Sequence, residues 1–173
     1  DGAVGKSVDD SLKVSFDSMS ISSVISKLRM GFPFSGFITG DVMARGVMGD
    51  MPRFGTKNLR VDSLAIDSIW VGDVSLRCGW SPERKAVGTK ITIYRDSAEV
   101  ATAGGIVSPG TDSLRLRFNV KEFPLATAQI MIEDYLDKLT GTVSAKIDVA
   151  GKISEPEVKG YIYLDKVLAR VKA

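Results

Sequence analysis

A segment bounded by glycines occurs twice in this chain. One copy reads Thr140-Gly141-Thr142-Val143-Ser144-Ala145-Lys146-Ile147-Asp148-Val149-Ala150-Gly151 and continues past Pro156 and Gly160 into Tyr161-Ile162-Tyr163-Leu164. The other begins at Ser35, with Gly36, Ile38, Val42 and Gly46 matching Gly141, Val143, Ile147 and Gly151, and reaches Pro52 with one extra residue. Apolar and polar residues alternate in the copy from Thr140 to Gly151, the mark of a strand with one apolar face. A strand that recurs between glycines predicts a sheet extended unit by unit, not an enzyme built around one pocket. The repeat covers residues 20–62 and 124–166, and the chain reads as one β-rich segment of a larger repeat protein.

The strand signal dominates between the copies. Val74, Leu76, Cys78 and Trp80 share a parity, with Asp73, Ser75 and Arg77 on the other. Leu114, Leu116, Phe118 and Val120 alternate with Ser113, Arg115, Arg117 and Asn119, and Ile91, Ile93 and Val100 mark further strands. Residues 12–16 form a short strand-like stretch. Ser81 to Lys85, Gly104-Gly105 and Pro109-Gly110 are turn signals. Two stretches have helical spacing: Ile21, Val24, Ile25 and Leu28, and, after Pro124, the run Leu125, Ala128, Ile132, Tyr135, Leu136 and Leu139. Two short helices cannot cover about ten one-faced strands, so a sandwich or a sheet folded over on itself is predicted. The fold class is mainly β: a curved antiparallel sheet folded into a trough, with two short helices.

Composition narrows the chemistry. The chain has no histidine, which removes the commonest general base and transition-metal ligand. Its single cysteine, Cys78, excludes an internal disulfide and reads as a small buried hydrophobe. Gly5-Lys6-Ser7 resembles the end of a phosphate-binding loop, but lacks the glycine five residues before the Gly-Lys pair and the strand that should lead in. The acidic neighbours Asp9-Asp10 and Glu133-Asp134 read as solvated loop and helix face, and Tyr161 and Tyr163 as packing or a strand-edge stack. No nucleophile motif or metal-ligand spacing is present, so no enzymatic activity and no cofactor are expected. The 23 basic and 21 acidic side chains are too balanced to point to nucleic acid. The chain opens at Asp1 without a methionine, signal peptide or membrane-spanning apolar run, and reads as a piece of something longer.

The order Phe123-Pro124-Leu125, helix, Leu139-Thr140-Gly141, strand to Gly151, then Glu155-Pro156-Glu157-Val158-Lys159-Gly160 and a further strand resembles the C-terminal repeat region of the TamB family. So do the stretch beginning Leu59-Arg60-Val61, Val71-Gly72-Asp73, and Trp80-Ser81-Pro82-Glu83-Arg84-Lys85. The likeness spans about residues 20 to 170 and is greatest to the forms found in Bacteroidetes-type Gram-negative bacteria. It implies a periplasmic segment of an inner-membrane-anchored protein, whose sheet curls into a trough with an apolar lining. The implied roles are phospholipid transport to the outer membrane and assembly of outer-membrane proteins. The implied partners are phospholipid acyl chains, an outer-membrane barrel protein of the Omp85 type (TamA-like) and further repeats of the same chain. The first copy departs from the pattern at Gly40, inside its strand, and at the extra residue before Pro52.

Strand parity selects the candidate lining: Val74, Leu76, Leu114, Leu116, Phe118, Val120, Val143, Ala145, Ile147, Val149, Ile162 and Leu164. The same residues would fill a closed core, because a groove and a core share one sequence signature. Three readings follow: a lipid conduit, a chaperone-like surface for nascent barrel strands, and a closed structural β module with no ligand.

Overall fold

The computed structural model describes residues 11–25, 34–46, 53–67, 69–127 and 136–171. The chain folds as a meander in which each strand pairs antiparallel with its sequence neighbours. The strands are β1 (Ser11–Ser20), β2 (Phe34–Arg45), β3 (Arg53–Ile66), β4 (Ile69–Ser81), β5 (Ala86–Arg95), β6 (Ala98–Ser108), β7 (Ser113–Pro124), β8 (Leu136–Lys152) and β9 (Pro156–Val171). They form one open nine-stranded sheet with β1 and β9 at its edges. The mainly-β, antiparallel class follows from the alternation. Among the described residues no second sheet, as in a sandwich, is formed: all nine strands belong to one hydrogen-bonded sheet.

Local chemistry explains the turns. Asp96 and Ser97, at φ 49 and 66, make the two-residue hairpin between β5 and β6. Pro109–Thr111 forms a 3-10 turn before β7, with Asp112 left-handed at its end. By contrast, Gly104 and Gly105 lie inside β6, opposite Lys90 and Thr89 of β5, and do not turn the chain. At Gly105 a Cβ would collide with the Arg115 carbonyl of β7, so this glycine serves close strand approach rather than reversal.

The helical expectations are met in part. A single turn of helix, α1 (Ile21–Ile25), follows β1, while Leu28 lies outside the described residues. Of the second expected helix, 125–127 is a 3-10 turn, Ala128, Ile132 and Tyr135 lie outside the described residues, and Leu136 already belongs to β8. Leu139 pairs with Ala169 of β9 and is only 8% exposed, so partnership with β9 overrides the helical spacing there. The sequences around Gly5-Lys6-Ser7, Asp9-Asp10 and Glu133-Asp134 also fall outside the described residues.

Bulges punctuate the meander in a recurring way. Ser18 of β1, Ser63 of β3 and Glu122 of β7 all adopt left-handed φ, at 47, 53 and 45. Each is served by a side chain of the following strand. Ser18 N–H donates to Thr39 Oγ1 (3.3 Å), Ser63 N–H to Asp73 Oδ1 (2.8 Å) and Glu122 N–H to Ser144 Oγ (2.9 Å). Thr39 and Ser144 occupy matching positions in the two glycine-bounded copies. Gly36 and Gly141 also match: at φ 135 and 112, each faces a bulge in the next strand, where a Cβ would lie 3.0 Å from the Asp62 carbonyl and 2.7 Å from that of Asp165.

The first copy carries one irregularity more. Between Thr39 and Met43 the register with β3 slips, beside Gly40 at φ 127. The gap is filled by polar bonds: Thr56 Oγ1 donates to the Asp41 carbonyl (2.6 Å), and Asp41 N–H donates to Asn58 Oδ1 (3.3 Å). The second copy, with Ala145 at the corresponding place, pairs with β9 without a break from Thr142 to Gly151.

Candidate apolar face

Cross-strand register decides which side chains share a face, because a strand slipped by one residue would turn its whole apolar set over. Following the pairs across the sheet, Ile38 lies opposite Val61, Val61 opposite Val74, Val74 opposite Ile93, and Ile93 opposite Ala101. The row continues through Val120 and Ala145 to Ile162. A second row runs Leu59, Leu76, Ile91, Ala103, Phe118 and Ile147 to Gly160. A third joins Cys78, Thr89, Gly105, Leu116, Val149 and Val158, and a fourth Trp80, Val87, Val107, Leu114 and Gly151. At the far end Phe123, Val143 and Leu164 align.

The twelve parity-selected residues therefore lie on one face of one sheet. Phe123 joins them although simple alternation would turn it away. The bulge at Glu122 uses three residues of β7 against two of β8, returning Phe123 to the apolar side. That signal was not readable in the sequence. Cys78 sits in the same face and is half-buried, not enclosed, between Thr56 and Thr89.

This face is not a dry core. Among the described residues only six apolar side chains are buried, and three of those are alanines: Ala44, Ala86 and Ala145. Val74, Leu76, Leu114, Leu116, Phe118, Val120, Val143, Ile147 and Val149 are half-buried. Towards the β9 edge exposure rises: Ile162 is 63% and Leu164 53% exposed. Tyr161 and Tyr163 project on the opposite face of β9, also exposed.

One end of the face is held by Arg95. Its Nη1 donates to the carbonyls of Trp70 (3.0 Å) and Val71 (3.3 Å), while the guanidinium lies 4.4 Å from the Trp70 ring centre and 5.8 Å from that of Phe123. The described residues contain no cluster of three potential ligands, and none of their helices is long and apolar enough to cross a membrane. In comparisons with protein-family models, curated proteins and solved structures, none matches the chain.

Proposed function

We propose that the apolar face carries lipid acyl chains, as a TamB-like periplasmic segment serving phospholipid transport to, or protein assembly in, the outer membrane. The observation that supports this reading is the continuity of largely half-buried apolar rows from β2 and β3 to the β9 edge of an open sheet. Exposing a tail of about 15 methylenes to water costs on the order of 12 kcal/mol, at roughly 0.8 per methylene. A carrier must therefore offer continuous apolar surface, and the longest row, across eight strands at ~4.8 Å spacing, offers it over roughly 34 Å. A closed structural module would instead spend these side chains on a buried interior, which the half-exposure of the rows argues against.

The test is photo-crosslinking of purified protein to a short-chain phospholipid kept below its aggregation concentration. One probe replaces Ile147 on the apolar face, and the other replaces the neighbouring Lys146 on the opposite face. Adducts at Ile147 alone are expected. Equal capture at both sites, or capture only within the chain's own polypeptide, overturns the reading.

A second reading, strand capture, has its own observation. Lys166 of β9 is left-handed at φ 49, like Ser18, Ser63 and Glu122. Each of those donates to a Ser, Thr or Asp side chain of the next strand, and β9 is the sheet's edge. An added strand with such a side chain opposite Lys166, from a nascent barrel protein or a further repeat, would complete the pattern. Protection of β9 amides from exchange by an alternating peptide, lost when its matching Ser is replaced by Val, would support this reading. Protection that ignores the Ser would count against it.

A further inference from the structure

The face opposite the apolar rows is divided electrically. Two concavities touch it: one of about 660 Å³ over β1–β4, whose lining also takes in Phe54, Cys78 and Trp80 from the apolar side, and one of about 560 Å³ over β5–β8. The first is lined by Lys13, Arg45, Arg53 and Lys57 against the single acid Asp41. The second is lined by Lys90, Arg115 and Arg117 against the single acid Asp148. Both acids are already engaged, Asp41 with Lys13 at 3.2 Å and Asp148 with Arg117 at 2.7 Å. Arg45, Arg53, Lys57, Lys90 and Arg115 have no carboxylate partner among the described residues, nor has Arg77. Arg53 lies 5.8 Å from the Trp80 ring centre.

The register makes this more than a count. Arg45 stands directly opposite Arg53, and Arg77 directly opposite Lys90. Like charges facing each other across a ladder destabilise it relative to neutral pairs. Between the two pairs the sheet is bare: Gly79 lies opposite Gly88, with open space where the Gly79 Cβ would be, and Gly55 and Gly104 floor the concavities. Cations thus border a glycine-rich strip across β3–β6, in a chain whose formal net charge is only +2.

We infer that this half-face docks on the surface of a bilayer containing anionic phospholipid. The cations form a two-dimensional array over successive strands, which suits a planar field of phosphates. Phe54 and Trp80 line the first concavity but no aromatic lines the second, so the cation array as a whole lacks the continuous run of stacking platforms that single-stranded nucleic acid uses. The inference does not depend on acyl binding at the other face.

Flotation with phosphatidylglycerol–phosphatidylcholine vesicles tests it, with phosphatidylcholine vesicles alone as the neutral reference. Binding to the anionic vesicles only is expected, weakening as salt is raised. The double variant R77Q/K90Q should lose about thirtyfold, at ~1 kcal/mol per basic side chain near an anionic surface. Its urea midpoint should hold or rise, since a repulsive pair has been removed; a merely structural pair would lower it. R60Q/K146Q, on the same face away from the two facing cation pairs, should bind nearly as the parent does. Binding equal on neutral vesicles, equal loss in both double variants, or a single-stranded oligonucleotide that displaces the vesicles would overturn the inference. Acyl capture at Ile147 in R77Q/K90Q separates the proposals: it should persist when docking is lost.

Discussion

Single residues carry much of the geometry here, and the glycines divide into two kinds. At Gly141, with φ 112 and a neighbouring carbonyl 2.7 Å from any added Cβ, alanine is strained and obstructed at once. Gly141→Ala is expected to lower stability by at least ~1–3 kcal/mol in urea denaturation. Gly79 has open space and no left-handed φ, so Gly79→Ala should be neutral or gain up to ~1 kcal/mol in the same measurement. Charge at single sites is equally readable. The hydroxyl of Ser15, at 2.6 Å, and then the Lys13 ammonium hold the Asp41 carboxyl below its ordinary 3.8. Because the folded-state pKa is depressed, this contribution is complete above the unfolded value and fades as pH falls through the folded one. An NMR titration should find the Asp41 midpoint below 3.8, and Ser15→Ala should move it up.

At the level of the strand, the αL bulge with its side-chain acceptor is the recurring part. Ser144→Ala removes the acceptor of the Glu122 N–H and should cost ~1 kcal/mol, with faster amide exchange at Glu122. Glu122→Gly relieves a left-handed non-glycine and should recover part of that loss, to be seen as a raised melting temperature in the double variant. These elements also mark where sequence reading succeeded and failed. Alternation placed Leu114 to Val120 and Val143 to Val149 correctly, because a one-faced strand needs no more than its own parity. It could not foresee that Gly104-Gly105 lies inside β6, since glycine permits close strand approach as readily as a turn. Nor could it assign Leu136 and Leu139, whose spacing fits a helix as well as a strand and whose state is decided by pairing with β9. Phe123 was hidden for a related reason: its facing depends on a bulge that only partner strands define.

For the molecule as a whole, the apolar face was legible and the charged one was not. Parity is local, so twelve residues could be assigned to one side from the sequence. The basic half-face arises from register between distant segments, with Arg45 meeting Arg53 and Arg77 meeting Lys90, and a near-balanced total charge conceals it. The two faces make separable predictions. A charge at Ile147, as in Ile147→Asp, should abolish acyl crosslinking from a probe at the neighbouring Leu116 while leaving vesicle flotation intact. The unbranched meander has a further consequence, for how such a molecule can change in length. Each strand leans only on its sequence neighbours, so the sheet has no keystone, and a β5–β6 hairpin could be excised with β4 and β7 meeting in its place. One strand alone could not be removed, because its neighbours would then run the same way and the connecting chain would have to cross the full width of the layer. Evolution and engineering alike would resize this fold two strands at a time, gaining or losing reach along the stacking direction while both faces keep their character.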